Sequence, residues 1–277
     1  MFLNLGIEAS MIIGAYFSYH YAYFSGNVYI GLLAAIIASL ILGIVNGIFL
    51  ITLKCDQTVY GVGINILALG LTSTIFRKSF EIGSGYEKCP GLPKLDLPFI
   101  NNLPYLGEIL GNQTILFYIG LAFVLITALV FYFTPSGLKI RSAGDNPFAA
   151  DSLGVNVPLT RFMCLLIGGV FAALGGASLT IGDLQFFQEG MTAGRGYIAL
   201  AAIIFGRYNP FGVLLASLLF GMSDALQLKM QILGLQIPYQ LFLTLPYVVT
   251  ILALFVVGPS MAPKYISRPF TRGEEGN

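Results

Sequence analysis

Long runs of apolar residues, separated by short polar stretches, recur along the whole chain. A helix needs about 20 apolar residues to cross a bilayer. We predict eight spans, at residues 3–23, 28–53, 59–76, 112–133, 162–181, 197–206, 211–228 and 239–257. The sixth is too short to cross alone, so it borrows residues before Gly196 or is a broken helix. The pattern therefore predicts an all-α, polytopic integral membrane protein with about eight transmembrane helices and short broken or re-entrant segments.

The composition agrees with a lipid environment. Hydrophobic residues make up 56% of the 277 residues and charged residues only 10%, whereas soluble domains carry about 25% charged residues. The net charge of +1 leaves no basic surface for nucleic acid.

The polar stretches divide one transmembrane domain, residues 1–277, into spans and loops. The longest stretches are 77–111, 134–161 and the tail 258–277. Eight crossings place both termini on one side, together with loop 134–161, and that side carries eight Lys and Arg residues against six opposite. We therefore predict that loop 134–161 and the tail are cytoplasmic and that loop 77–111 is extracytoplasmic.

The residues that usually perform chemistry are scarce. The chain has one histidine, His20, and three cysteines that are far apart, with no CxxC pair. This pattern predicts no metal site and no disulfide framework, and it argues against a membrane enzyme. The first basic residue is Lys54, so we do not expect a cleaved secretory signal.

Aromatic residues cluster near the end of the first predicted span, at positions 16, 17, 19, 21, 23 and 24. We interpret them as an interfacial belt, because tyrosine is enriched at membrane surfaces. The alternative is a set of rings that stack on a planar substrate.

The loop 134–161 contains the signals of a short helix. Asn146 is a good N-cap, Pro147 suits the first helical position, and Gly154 can adopt the left-handed conformation that ends a helix. A helix over Pro147–Leu153 is about 10 Å long, too short to cross a bilayer. One edge presents Phe148, Ala149, Ser152 and Leu153, which suits insertion into a groove on another protein. The alternative is a capped loop helix that docks on nothing.

Three motifs resemble those of one transporter family. The loop is similar to G-x-x-x-R-A-x-G-x-N-P-x-A-A-x-x-x-G-I-x-V, with Ser142 and Val155 as departures. Residues 4–15 resemble N-I-G-I-E-G-x-M-L-x-G-A, with Ala9 in place of a glycine. Residues 194–210 resemble G-x-G-[YW]-x-A-[IL]-A-x-x-x-F-G-x-W-x-P, with Tyr208 in place of tryptophan. These are motifs of ATP-binding-cassette importer permeases of the branched-chain amino acid and simple-sugar superfamily, and the last two look more like those of nucleoside-type than of ribose-type members.

The resemblance implies a permease of the cell membrane that binds no cofactor and is not an enzyme. ATP is then used by a partner ABC ATPase subunit, in agreement with the absence of a Gly-Lys dipeptide and hence of a phosphate loop. The other implied partners are a second permease subunit and an extracytoplasmic substrate-binding lipoprotein. Coupling to the ATPase is expected at Gly137, Arg141, Gly144, Asn146, Pro147, Phe148, Ala149, Ala150 and Gly154. Family members carry a further hydrophobic segment before the motif at residues 4–15, so one helix fewer is expected here.

Polar groups inside the spans are costly in lipid and mark candidate substrate contacts. The candidates are Asn4, Glu8, Asn46 and Asn65; the alternative for them is hydrogen bonding between helices. Asp183, Glu189 and Arg195 form a charged rim for a binding protein, or are simply solvated.

Two other functions stay open at the level of sequence. One is a simple-sugar, ribose-like importer permease. The other is an ion-coupled carrier, which needs its own acidic residues in the membrane; Glu8 is the clear candidate and Asp224 a weaker one.

Overall fold

The computed structural model describes residues 4–80, 87–96 and 111–232, together with residues 244, 248, 251, 265 and 270. The helices are α1 (Ile7–Ser25), α2 (Val28–Gly47), α3 (Gln57–Ser79), α4 (Ile115–Phe133), α5 (Pro135–Asp145), α6 (Pro147–Ser152), α7 (Val157–Ala177), α8 (Arg195–Phe205) and α9 (Pro210–Ile232). Two π-helical segments, Ile48–Thr52 and Ser178–Leu184, extend α2 and α7. Strands β1 (Lys94–Asp96) and β2 (Asn112–Thr114) pair antiparallel.

Five helices within these ranges are long and apolar enough to cross a membrane. They cover Val28–Thr52, Gln57–Ser79, Ile115–Phe133, Val157–Leu184 and Pro210–Met230, and so match the second, third, fourth, fifth and seventh predicted spans. The predicted all-α membrane fold is confirmed. The eighth predicted span, 239–257, and most of the tail lie outside the continuously described ranges, so the count of eight stays a prediction.

Helix α1 lies at the first predicted span and forms the centre of the bundle, with α2, α3, α7 and α8 packed around it. Small residues permit this close packing. A Cβ on Gly14 would lie 2.4 Å from the backbone of Ala173, and one on Gly176 would overlap the carbonyl oxygen of Met11. Because lipid tails are as apolar as leucine, such close van der Waals contact drives helix association in a bilayer.

The sixth predicted span is a half-helix. The chain leaves the π-helical end of α7 through Gln185, whose φ is 59°, and has no helix until α8. Helix α8 has 11 residues and is about 17 Å long, roughly half a hydrocarbon core. Of the two alternatives that the sequence left open, the short helix agrees with a broken helix and not with one extended by residues before Gly196.

Two tyrosines of α1 are buried, contrary to the expected interfacial belt. Tyr16 and Tyr19 are each 1% exposed, and both rings contact Phe187, at centroid distances of 5.3 and 6.1 Å. Tyr21 and Phe24 are exposed and Phe17 and Tyr23 are partly exposed, so a belt is compatible with these four residues. The buried rings fill the core because the segment after α7 folds back over them.

Candidate functional site

The Glu8 side chain connects helix α1 to the segment before α8 and to the first turn of α8. Its Oε1 accepts hydrogen bonds from the Thr192 hydroxyl at 2.6 Å and from the Gly194 N–H at 3.0 Å. Its Oε2 accepts one from the Gly196 N–H at 2.7 Å. A carboxylate that receives three donors is well satisfied even where water is scarce.

The position of Glu8 explains why helix α8 can begin inside the protein. The N-cap residue Gly194 has no side chain to satisfy the first N–H groups of α8. Glu8 of α1 accepts hydrogen bonds from the Gly194 N–H and from the Gly196 N–H in the first turn of α8, and a negative charge at this place is favourable beside the positive end of the helix dipole. The approach requires a glycine, since a Cβ on Gly196 would lie 2.6 Å from Glu8 Oε2.

Asn65 of α3 secures the same region. Its Nδ2 donates to the Leu5 carbonyl at 2.9 Å and to the Tyr197 hydroxyl, and its Oδ1 accepts from the Ala9 N–H at 2.8 Å. One amide therefore connects α3, the first turn of α1 and the first turn of α8. These contacts are those of the hydrogen-bonding alternative between helices.

Asn46 and Asn4 lie near this region in different surroundings. Asn46 is buried and accepts a hydrogen bond from the Tyr60 hydroxyl at 2.7 Å. Asn4 Oδ1 accepts from the Gly6 N–H at 3.1 Å, within the turn that leads into α1. The side chains of Asn4, Glu8, Asn46 and Asn65 therefore all have hydrogen-bond partners within the protein. Contact of any of them with the substrate stays a prediction.

A cavity of about 160 Å³ separates Asn4 from the loop 134–161. Its walls come from the start of α1, from α5 and from α7, and include Ile7, Ala143, Gly144 and Leu165. The first turn of α1 and the predicted coupling loop therefore face each other across a small space at one end of the bundle.

Two of the three charged residues predicted to form a rim, Glu189 and Arg195, are paired. Arg77 binds Glu189 through two hydrogen bonds of 2.7 Å, and these bonds lower the pKa of the Glu189 carboxyl. Arg195 lies 3.3 Å from Asp224 and also donates to the Met191 carbonyl. Glu189 and Arg195 therefore stabilise the segment between α7 and α8, rather than being singly solvated.

The short helix of the loop forms as its sequence predicts, with an end one residue earlier. Helix α6 spans Pro147–Ser152, and Asn146 Oδ1 accepts from the Ala149 N–H at 3.1 Å. Leu153 follows as the C-cap, and Gly154 has a φ of 83°. Local capping rules alone therefore locate this element.

Helix α6 has a buried face and an exposed face. Pro147 and Ala150 are buried, and Ala150 packs with Ala143 and Val157. Ala149 and Ser152 are exposed, and Leu153 is 85% exposed. Phe148, which was predicted on the outward edge, is only partly exposed, because its ring contacts Tyr265 and Phe270 at 5.8 and 5.3 Å.

The other predicted coupling residues shape the loop. A Cβ on Gly137 would lie 2.2 Å from the Val130 carbonyl oxygen, so a glycine is needed where α5 turns back on α4. Gly144 is buried, and Arg141 is exposed with its guanidinium 5.9 Å from the centre of the Tyr132 ring. Direct contact of these residues with an ATPase stays a prediction.

Sequence reasoning missed the partners of Glu8, namely Thr192, Gly194 and Gly196, and the partner of Asn65, Tyr197. The available signal was the pair of glycines at 194 and 196, because glycine lets another group approach the backbone closely. Within the described ranges, no group of three or more His, Cys, Asp and Glu residues could hold a metal ion.

A bundle of apolar helices around a half-helix, with a short capped helix outside it, is the framework of a polytopic membrane protein. The family model for the permease component of branched-chain amino acid transport systems matches residues 2–254. The chain belongs to this family, which confirms the resemblance and the membrane location.

Individual relatives cover nearly all of the chain. The guanosine ABC transporter permease protein NupQ of Bacillus subtilis is 36% identical over 98% of this chain and 88% of its own length. The nucleoside ABC transporter permease protein NupC of Lactococcus lactis is 32% identical over 95% and 86%. The putative glucose ABC transporter permease protein TsgC13 of Haloferax volcanii is 36% identical over 84% and 70%. No solved structure matches the chain.

Proposed function

We propose that this chain is the permease subunit of an ABC importer for nucleosides and that α6 docks in a cleft of a separate ATPase. The observation that carries the proposal is the likeness to NupQ and NupC over almost the whole length of both chains. The capped, half-exposed helix α6 supports the part that concerns coupling.

Helix α6 is suited to transmit force. It is short and capped, and its buried face packs on residues of the same loop and of α7. The loop is continuous with α4 before it and α7 after it. Movement of the exposed edge, at Ala149, Ser152 and Leu153, would therefore move both spans.

The region around Glu8 supports a path for the substrate that responds to this movement. Helix α5 and the first turn of α1 face the same small cavity, and Glu8 ties α1 to the start of α8. A shift of the loop would thus reach the half-helix through α1. In this proposal the path of the substrate is bordered by Asn4, Glu8, Asn46 and Asn65. The hydrogen bonds of these residues in the present structure belong to one conformation of the path.

The proposal includes the sides of the membrane and the partners. Loop 134–161 and tail 258–277 are cytoplasmic, and loop 77–111 is extracytoplasmic. ATP is consumed by the partner ATPase, a second permease subunit completes the pathway, and an extracytoplasmic lipoprotein delivers the substrate. Exposed leucines on α3 and α4, such as Leu67 and Leu125, leave room for contact with a second subunit or with lipid.

Co-purification combined with uptake tests this function. The tagged chain is extracted gently from its native membrane, and bound subunits are identified; we expect an ATPase with two nucleotide-binding cassettes. Cells that lack the chain should lose uptake of labelled guanosine and keep uptake of an unrelated amino acid. Purification without any ATPase, or guanosine uptake that an uncoupler abolishes while ATP is constant, would contradict the proposal and favour an ion-coupled carrier.

A sugar importer is the second candidate, because TsgC13 is as similar in identity as NupQ. The same cells separate the two candidates. Loss of labelled glucose or ribose uptake, with guanosine uptake intact, would assign the permease to sugars.

A further inference from the structure

Two aromatic residues of the C-terminal tail, Tyr265 and Phe270, contact helix α6. The ring of Phe148 in α6 lies 5.8 Å from the Tyr265 ring and 5.3 Å from the Phe270 ring, measured between centroids, with interplanar angles of 72° and 50°. Aromatic pairs at such distances attract each other when the rings are not stacked face to face. The tail therefore reaches the end of the bundle that carries loop 134–161 and touches α6 directly.

Helix α6 buries little apolar surface without the tail. It has six residues, and a helix of that length is unstable on its own in water. Its two buried residues, Pro147 and Ala150, are small. Asn146 caps the first turn, but a single cap does not compensate for the cost of forming so short a helix. The orientation of α6 therefore depends on packing against other parts of the chain.

Phe270 supplies a large side chain at the base of α6. Ala150 packs with Ala143 of α5 and with Val157 of α7, and Phe270 packs against this cluster. A phenylalanine ring can bury far more apolar area than an alanine or a valine. Phe270 thus packs both against the buried face of α6 and its neighbours and against the Phe148 ring.

The contact with the tail leaves the opposite edge of α6 exposed. Phe148 and Phe270 are both partly exposed, whereas Ala149 and Ser152 are exposed and Leu153 is 85% exposed. Ser152 lies beside Phe148 on the helix surface, because the two are four positions apart. The tail therefore borders the edge that is expected to dock, without covering it. This arrangement favours a support for α6 over a lid that blocks it.

Phe270 also lies beside a neighbouring turn of the bundle. It lines a cavity of about 330 Å³ together with Gly154 and Asn156, which follow α6, and with Lys54, which lies in the turn between α2 and α3. The side chain therefore occupies space into which the end of α6 could otherwise move.

We propose that the tail is a support for α6, in which Phe270 and Tyr265 hold the Phe148 ring and so fix the orientation in which α6 presents Ala149 and Leu153 to the ATPase. Phe270 is a positioning residue, since it acts through Phe148. Its benefit rests on the proposed function, because it needs an ATPase that binds α6. A helix held in the binding orientation binds more tightly, since the apparent affinity falls with the fraction of molecules in that orientation.

Hydrogen exchange tests the support without any ATPase. The full-length permease is placed in lipid nanodiscs, and amide exchange is measured for the peptide that contains α6. Phe270→Ala should accelerate this exchange about tenfold, because a packed ring is lost, and Phe270→Tyr should restore slow exchange. Phe148→Ala should add little to Phe270→Ala in the double variant, since both remove the same contact. Phe133→Ala removes a ring that is 80% exposed at the end of α4, and should leave the exchange unchanged.

Titration with the ATPase subunit tests the positioning role. Phe270→Ala should raise the ATPase concentration needed for half-maximal binding about threefold, and saturating ATPase should restore the wild-type rate of ATP hydrolysis. The melting temperature of the permease should stay the same. A residue with a purely structural role would instead lower the melting temperature and leave the affinity unchanged. Phe270→Tyr should bind as wild type does.

Three results would overturn the proposal. The first is equal exchange of α6 in the wild type and in Phe270→Ala. The second is tighter ATPase binding by Phe270→Ala, which would make the tail a lid on α6. The third is an equal effect of Phe133→Ala and Phe270→Ala, which would indicate a general loss of stability.

Phe270→Leu decides the matter if Phe270→Ala does not fold. It keeps an apolar side chain but removes the ring, so its exchange should be faster than that of Phe270→Tyr, and equal exchange would contradict the support. A failure of the proposed function has a different result. The wild type would then bind no ATPase, while Phe270→Ala would still accelerate the exchange of α6.

Discussion

Glu8 Oε2 accepts a hydrogen bond of 2.7 Å from the backbone N–H of Gly196, across 188 positions of the sequence. The contact unites two motifs, at residues 4–15 and 194–210, that look independent along the chain. The first motif contains the Glu8 carboxylate, and the second supplies N–H groups that donate to this carboxylate. The two motifs therefore describe a single structural site, the start of the half-helix α8.

Substitution of Glu8 by glutamine should impair transport more than assembly. Glu8→Gln keeps the shape but removes the charge, and its amide nitrogen faces an N–H group that then has no acceptor. A buried unsatisfied donor costs about 1–3 kcal/mol. We expect a lower melting temperature of the purified complex and a strong loss of substrate uptake at equal expression.

Glu8→Asp is the matched control. It keeps the charge and shortens the side chain by one methylene, so it should retain more uptake than Glu8→Gln. A Glu8→Gln variant with wild-type uptake and melting temperature would show that neither the charge nor the second acceptor oxygen is needed.

The contact between Gly196 and Glu8 also predicts a contrast between two glycine substitutions. Gly196→Ala places a Cβ 2.6 Å from Glu8 Oε2 and 2.8 Å from the Glu8 backbone, so α8 must shift. Gly70→Ala in α3 meets no atom within 4 Å and removes a helix-destabilising residue, worth up to about 1 kcal/mol. Thermal unfolding should therefore show a clear decrease for Gly196→Ala and no decrease for Gly70→Ala. Equal melting temperatures would contradict the close approach.

Local rules explain which parts of the fold were predictable from the sequence. Helix α6 was located to within one residue, because Asn146, Pro147 and Gly154 act on their immediate neighbours. Five apolar runs matched the spans for the same reason, since lipid requires about 20 apolar residues in succession. The broken crossing was expected because its apolar run is too short.

Contacts between distant residues explain what was missed. Nothing near Glu8 in sequence indicates that its partners are Thr192 and two backbone N–H groups. Tyr16 and Tyr19 carry the signature of an interfacial belt, and their burial depends on Phe187, which the chain brings back after α7. Such pairings follow from the packing of the whole bundle.

The exposed tip of α6 predicts a defect in coupling without loss of folding. Leu153→Asp places a charge on a side chain that is 85% exposed, so the melting temperature of the chain should change little. An apolar cleft on an ATPase would reject the carboxylate, and we expect loss of both ATPase co-purification and uptake. Leu153→Met keeps an apolar tip of similar volume and should behave as wild type. Normal uptake by Leu153→Asp would exclude the tip from the coupling surface.

The pair of Arg77 and Glu189 predicts a stability effect that depends on pH. Arg77 lowers the folded-state pKa of Glu189 through its hydrogen bonds, so the stabilisation is present above the unfolded pKa of about 4.3. It is lost as the pH falls through the lowered folded value. Arg77→Gln should therefore reduce the melting temperature slightly at pH 7, and the difference from wild type should shrink below about pH 4.

The neighbouring exposed residue provides the control for this pair. Lys78→Gln removes a charge of the same sign from the same helix end and should show no such pH dependence. If Glu189→Gln and Arg77→Gln act additively in the double variant, the two side chains do not stabilise each other.

Two of the three cysteines, Cys55 and Cys89, allow the proposed sidedness to be measured. Cys55 is exposed at the end of the bundle that carries loop 134–161, where Lys54 and Gly154 line a common cavity. Cys89 is buried at the other end, and burial raises the pKa of its thiol to about 11. In variants with a single cysteine, a membrane-impermeant maleimide should label Cys55 in inside-out vesicles and not in right-side-out ones. Cys89 should react slowly near pH 7.5, because a shift of about two units leaves about a hundredfold less thiolate, and faster as the pH rises. Labelling of Cys55 from the outside would reverse the proposed topology and place α6 where no cytoplasmic ATPase could reach it.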